Sequence, residues 1–372
     1  MLRIALALTV PAASYSHYDL QSFAAVAAAL RHNWLHLYQV GLRWPYPPGY
    51  LPWIAVSARL GKGSVTIFEL LIRLPAMLAD SALALVVAWH LAAEGVSGGR
   101  TVAAAMLVAF GPCFFVISGI HGQIDAVAIL PAVAAVLLWQ RGGHAQRAVV
   151  CGLLIGLAAS VKTVPIAMVF ALLPSARSLR EAVVLVVCAV GLPALLIAPF
   201  VLTNPTTTLY YLGYLGTPGL GGLSLALQPE LAQVWLQYRP HTYSPATAFT
   251  VAHATLISRG VLLGAGGYVY LRRLSPLGAA VLIWLAVYAL VPNFFFQYLI
   301  WGLPFFLLAN HVGKVLAVQV VAVIPLLLAE FRPWADGRVL LAFVPLMLVL
   351  WALFVVALVT QLRRPARAVS VA

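Results

Sequence analysis

Between Arg338 and Arg363 the chain runs for 24 residues without a charge. Apolar sequence of that length has one stable destination, a helix across a lipid bilayer. The pattern recurs at about 48–60, 64–79, 81–93, 102–119, 125–140, 148–161, 163–174, 182–203, 250–271, 276–291, 296–310 and 312–330. Two stretches, 64–93 and 148–174, can each be read as one long helix or as two. Composition agrees with a polytopic membrane protein: 63% of residues are hydrophobic, 8% are charged, and the mean hydropathy is +1.00. A soluble core is excluded. The spacing predicts an all-α protein of about 11 to 14 transmembrane helices, in a single domain over 1–372, with C-terminal helices near 250–361.

Basic residues outnumber acidic ones 22 to 9. In a soluble chain that excess would suggest nucleic acid, but here it gathers in short loops, as the positive-inside rule requires. With an inside N-terminus and both long stretches split, fourteen basic residues fall inside, six fall outside, and Arg73 and Arg259 lie within spans. Both ends are then cytoplasmic. Leu2–Ala13 has the look of a signal peptide, but it is read as an uncleaved first span. Cys113, Cys151 and Cys188 lie in apolar runs and read as small buried residues. Gly152–Gly156 and Gly260–Gly264 have the spacing that packs helices closely.

One polar and aromatic stretch, His17 to Tyr50, stands between apolar segments near the start. It is predicted to be an amphipathic helical first extracytoplasmic loop. Asp19 lies where the first apolar segment ends, a place where a membrane enzyme can hold a base against a water-borne substrate. The same topology puts Asp19, Asp80, His121, Gln123, Asp125, Lys162, Arg239 and the stretch 293–297 on the outer side. Asp80 is expected in a turn between two halves of 64–93. Lys162 interrupts an apolar run and suits an anionic head group such as a lipid phosphate. The long break 203–250, with Gly-rich and aromatic parts, is expected to be functional.

Each of these residues also has a purely structural reading. Asp19 fits a helix cap, as do Gln123 and Asp125 for a helix starting near Ala126. Asp80 and Arg73, seven apart, share a helix face and can pair within the bundle. Lys162 can snorkel beside Pro165. His32 and His36 have metal-ligand spacing but no third ligand, and Gly61-Lys62-Gly63-Ser64 lacks the first glycine of a phosphate loop. No cofactor is expected, and a divalent metal is not favoured.

Several motifs in order resemble the GT-C glycosyltransferases that use polyprenyl-phosphate sugars, including bacterial mannosyltransferases and the glucosyltransferases of N-glycan assembly. They are an Asp after the first span, Tyr46-Pro47-Pro48, Arg73-Leu74-Pro75 with Asp80, Gly122-Gln123-x-Asp125, Lys162-x-x-Pro165, and Gln297-Tyr298-x-x-Trp301-x-x-Pro304. The resemblance covers most of the chain and is strongest over 15–175. It implies inverting hexose transfer, of mannose or glucose, to a lipid-linked or other glycan acceptor at the outer face of the plasma membrane. Asp19 would be the base, and Lys162 and Arg239 would hold the leaving phosphate. Gln123, Asp125 and Tyr46 would orient the site, with His121, Asp80, Arg73, Gln297 and Tyr298 among the substrate-binding residues. The competing class is a transporter or flippase for lipid-linked saccharides, against which the one-sided acids and the lack of a visible repeat argue.

Overall fold

The computed structural model describes residues 14–39, 44–142, 146–214, 216–233, 242–331 and 338–363. The expected first span and Arg239 lie outside them. Among the described residues there is no strand, and the chain is an all-α polytopic membrane protein. In chain order the main helices are α1 (Ser14–Asn33), α2 (Leu51–Leu60), α3 (Val65–Ala93), α4 (Gly98–Ala109), α5 (Asp125–Arg141), α6 (Arg147–Val161) and α7 (Leu179–Thr203). There follow α8 (Ala254–Arg272), α9 (Pro276–Leu290), α10 (Leu299–Leu308), α11 (Val312–Phe331) and α12 (Arg338–Arg363). Five helical stretches are long and apolar enough to cross a membrane alone: Val65–Ala93, Gly98–His121, Leu179–Thr203, Val312–Phe331 and Val339–Arg363. The pair Pro245–Ala252 and Ala254–Arg272, bent by 70°, would make a sixth.

Two expectations are corrected. The stretch 64–93 is one helix of 29 residues, α3, so Asp80 stands inside a helix and not in a turn at its mouth. The segment at 48–60 yields only the 10-residue α2, about 15 Å at 1.5 Å per residue, half of what a crossing needs. The two elements meet at Pro75. Pro75 has no N–H, so the Leu71 carbonyl four residues earlier loses its helical donor. Trp53 on α2 supplies a replacement, its Nε1 donating to Leu71 O at 2.8 Å, and the Tyr50 hydroxyl donates to Ile72 O at 2.8 Å. α2 is thus tied across the proline turn of α3, and α3 continues unbroken.

The split of 148–174 is present. α6 ends at Val161, Lys162 is extended, and a short 3-10 turn, Val164–Ala167, follows. Pro165 fits the stop, because it has no N–H to donate to the Val161 carbonyl four residues earlier, where α6 ends.

The chain divides into two compact units. The first takes its described residues from Met1–Val86, Phe114–Val169 and Ala176–Tyr214, the second from Val87–Cys113, Phe170–Ser175 and Leu215–Ala372. In the first, α6 and α7 pack closely because a Cβ on Gly152 would meet Cys188 Cβ at 2.6 Å and one on Gly156 would meet Cys188 O at 2.8 Å. The helix-packing reading of that glycine pair holds; Gly260 and Gly264, by contrast, have no such neighbour within 4 Å. The near ends of the same helices are pinned by buried Arg147, whose Nε and Nη2 donate to Glu181 at 2.5 and 3.0 Å while its guanidinium lies 4.4 Å from the Trp139 ring centroid. In the second unit the Tyr288 hydroxyl accepts from Gly302 N at 2.6 Å and donates to Tyr298 O at 2.9 Å, joining α9 to α10.

Candidate active site

Asp19 is the sixth residue of α1, so it does not cap that helix. Its Oδ2 lies 2.8 Å from His121 Nε2 and accepts from Gln123 Nε2 at 2.7 Å. The first contact calls for the tautomer with the proton on Nε2. His121 and Gln123 reach one oxygen because Gly122 between them has φ +79, a left-handed turn that other residues resist, closing the π-helical segment Phe115–His121. His121 is fully buried and Gln123 nearly so.

The network continues away from Asp19. Gln123 Oε1 accepts from the Tyr46 hydroxyl at 3.1 Å, and Tyr46 O accepts from the Tyr38 hydroxyl at 2.6 Å. Lys162 Nζ stands 5.1 Å from the Tyr46 ring centroid, within cation–π range, and donates to Asp125 Oδ1 at 2.6 Å. Both partners of that pair are buried. The capping reading of Asp125 is therefore corrected, since Ile124 holds the N-cap position of α5 and Asp125 Oδ1 takes the Lys162 ammonium. So is the snorkelling reading of Lys162, whose charge meets a carboxylate within the unit. Burial pushes the Tyr38 and Tyr50 hydroxyls far up from the usual phenol range, so both stay protonated.

Backbone packing sets this geometry. In Tyr46-Pro47-Pro48-Gly49-Tyr50 the two prolines stiffen the approach to α2, and Gly49 lies on the last turn of α6. A Cβ at Gly49 would fall onto the Ser160 carbonyl, 2.6 Å from its carbon. The chain that carries Tyr46 is thereby pressed against the residue two before Lys162. Phe23 and Tyr46 hold Trp44 edge-on at ring centroid distances of 5.6 and 5.0 Å.

Arg73 is buried and pairs with Glu69 one turn earlier at 3.6 Å. It also borders the turn below Asp19, since a Cβ on Gly122 would lie 3.3 Å from Arg73 Cγ. Asp80 is fully buried two turns along the same face of α3. Gln297 and Tyr298 belong to the second unit, in the 3-10 turn Phe296–Tyr298, where Tyr298 stacks on Trp301 at 4.0 Å. Among the described residues no group of three or more His, Cys, Asp or Glu side chains is arranged to hold a metal ion.

Asp19, His121, Gln123, Tyr46, Asp125 and Lys162, all named from sequence, are thus brought together in one unit, with Arg73 at the edge. Sequence reasoning missed Tyr38, Glu69 and Gly49. Glu69 was visible as a carboxylate four before Arg73, and Gly49 as the glycine after two prolines; Tyr38 carried no local signal.

The profile of Glycosyltransferase family 87 matches residues 44–292, about two thirds of the chain. The chain belongs to glycosyltransferase family 87, a family of GT-C type. It matches no curated protein and no solved structure. The family match begins at Trp44, so it takes in Tyr46, His121, Gln123, Asp125 and Lys162 but not Asp19. The tie of Asp19 to this glycosyltransferase rests on the two bonds to His121 and Gln123.

Proposed function

We propose that this family 87 glycosyltransferase moves a hexose, mannose or glucose, from a polyprenyl-phosphate sugar to a lipid-linked or other glycan acceptor, by a single inverting displacement with Asp19 as base. The observation that carries the reading is the Asp19 carboxylate, bonded by two side chains that lie within the family match. In the reaction the acceptor hydroxyl gives its proton to Asp19 as its oxygen bonds to the anomeric carbon. The bond from that carbon to the phosphate oxygen breaks, and the phosphate leaves with the electron pair. Such a step needs a positioned base and cationic support for the leaving group through an oxocarbenium-like transition state. Lys162 is the cation proposed for the phosphate, together with Arg239. Tyr46 and Gln123 orient the carboxylate, and no metal takes part in the proposed step.

The extracytoplasmic face of the plasma membrane is the proposed side. A short α2 removes one crossing and an unbroken α3 removes another, so every loop from residue 94 onward keeps the side assigned by charge. Arg59 and Lys62 join the outer side, and the basic residues still favour the inside, twelve to eight. The test is incubation of membranes containing the protein with radiolabelled polyprenyl-phosphate mannose, then glucose, and identification of the labelled product. Transfer that appears with the parent and vanishes with Asp19→Asn is expected. Equal transfer by both removes Asp19 from the mechanism.

A further inference from the structure

A cleft of about 330 Å³ runs beside the candidate base, between α1 and α3, with α2 closing one side. Its axis follows from contacts. Leu20 and Arg73 both lie against Gly122, since a Cβ there would meet Leu20 Cδ2 at 2.9 Å and Arg73 Cγ at 3.3 Å. This sets the Leu20 end of α1 beside the Arg73 turn of α3. Arg31, three turns further along α1, then falls beside Gly63 and Val65, which line the same cleft. The separation from Leu20 to Arg31 is about 16 Å at 1.5 Å per residue.

Leu20 is the partition. It lines the cleft, is almost wholly buried, and its far side touches the turn that joins His121 to Gln123. One side chain therefore separates an open cleft from the groups that bond Asp19. The walls are mainly apolar and small, with Ala24, Ala27 and Phe68 among them. The polar groups are an amide (Gln21), a hydroxyl (Ser64), one guanidinium (Arg31) and one carboxylate (Glu69). The Glu69 carboxylate is already paired with Arg73 at 3.6 Å, and the amide and hydroxyl offer the donors and acceptors that a hydroxylated head requires. The cleft also meets the first turn of α3, where a membrane-crossing helix begins, so its occupant belongs at a membrane boundary.

We propose that this cleft binds the acceptor, and that the acceptor is a sugar-headed amphiphile. It presents its hydroxyl past Leu20 toward Asp19 and lays its apolar part along Ala24, Ala27 and Phe68. The inference rests on the glycosyltransfer reading above, which assigns no acceptor site.

The probe is dodecyl maltoside carrying a photoreactive diazirine in its alkyl chain, added to the full-length protein in phosphatidylcholine nanodiscs. The expected crosslinks map to 20–31 and 63–69. Ala24 and Gln21 line the cleft and are exposed, so Ala24→Trp and Gln21→Trp fill it without disturbing the core; Asn33→Trp, exposed at the end of α1 on the face opposite Ala24, is the control. Each filling variant should lose crosslinking at least tenfold and raise the KM for dodecyl maltoside at least tenfold, with the KM for the polyprenyl-phosphate sugar moving less than twofold. Asn33→Trp should do neither. Crosslinks elsewhere, filling variants that label like the parent, or equal labelling by a sugarless dodecyl probe, which marks an ordinary lipid site, overturn the proposal. Cleft labelling as expected from a parent that transfers no sugar sinks the glycosyltransfer reading and leaves the binding site standing.

Discussion

Asp19→Asn separates two roles that a single carboxylate can play here. Asp19 Oδ2 accepts from His121 Nε2 at 2.8 Å and from Gln123 Nε2 at 2.7 Å. An asparagine that places its amide oxygen at the same point keeps both bonds, at neutral rather than charge-assisted strength. The structural loss is then about 1–3 kcal/mol, the difference between hydrogen bonds to charged and to neutral acceptors summed over two. The catalytic loss is different in kind, because an amide oxygen does not take the acceptor's proton. General-base contributions run at about 10² to 10⁴ in rate, or about 3–5 kcal/mol of barrier. The assay is transfer of radiolabelled hexose from polyprenyl-phosphate sugar by purified protein, with donor affinity measured in parallel. The expected result is a rate lowered at least a hundredfold with donor affinity within threefold, since the phosphate contact is proposed for Lys162 and not for Asp19. A folded Asp19→Asn protein that transfers within a few-fold of the parent refutes the base, and Asp19 then serves only to hold His121 and Gln123.

The Lys162–Asp125 pair gives a second expectation: Lys162→Met strands a buried carboxylate and should destabilise the protein by about 3–5 kcal/mol, read as a lowered thermal midpoint. Lys162→Met with Asp125→Asn should recover much of that midpoint while transfer stays low; full recovery of both would make the pair structural only. Gly49→Ala drives a methyl into the Ser160 backbone and should cost about 1–3 kcal/mol; Ser160→Gly should not rescue it, because the clash is with main chain. Trp53→Phe leaves Leu71 O without its donor beside Pro75 and should cost about 1–3 kcal/mol in thermal denaturation. Arg59→Cys should react with an impermeant thiol reagent in intact cells and Arg272→Cys should not; the reverse overturns the proposed sidedness.

Class and partners were legible for different reasons. Crossing a bilayer forces every backbone group into a helix, so apolar run length alone announced the all-α membrane fold. Asp19, His121, Gln123, Asp125 and Lys162 were legible because a polar or ionisable group in such a setting is costly without a task or a partner. Their pairing was not. Residue 125 bonds 162, and residue 19 bonds 121 and 123, and nothing in local spacing encodes separations that long.

The split expected in 64–93 fell at Asp80, where the charge balance favoured two crossings, yet the helix runs through both Pro75 and Asp80. Pro75 alone would weaken it, because the carbonyl four residues earlier is left bare. Here a tryptophan and a tyrosine from the preceding segment cover the carbonyls at 71 and 72, which keeps α3 whole and fixes α2 beside it. The same helix reaches the site. Arg73 stands one turn after Glu69 and against Gly122, and Glu69 lines the cleft that Leu20 divides from Asp19. The floor of the candidate site and a wall of the proposed acceptor cleft therefore lie on one turn of α3, just before the proline that α2 covers.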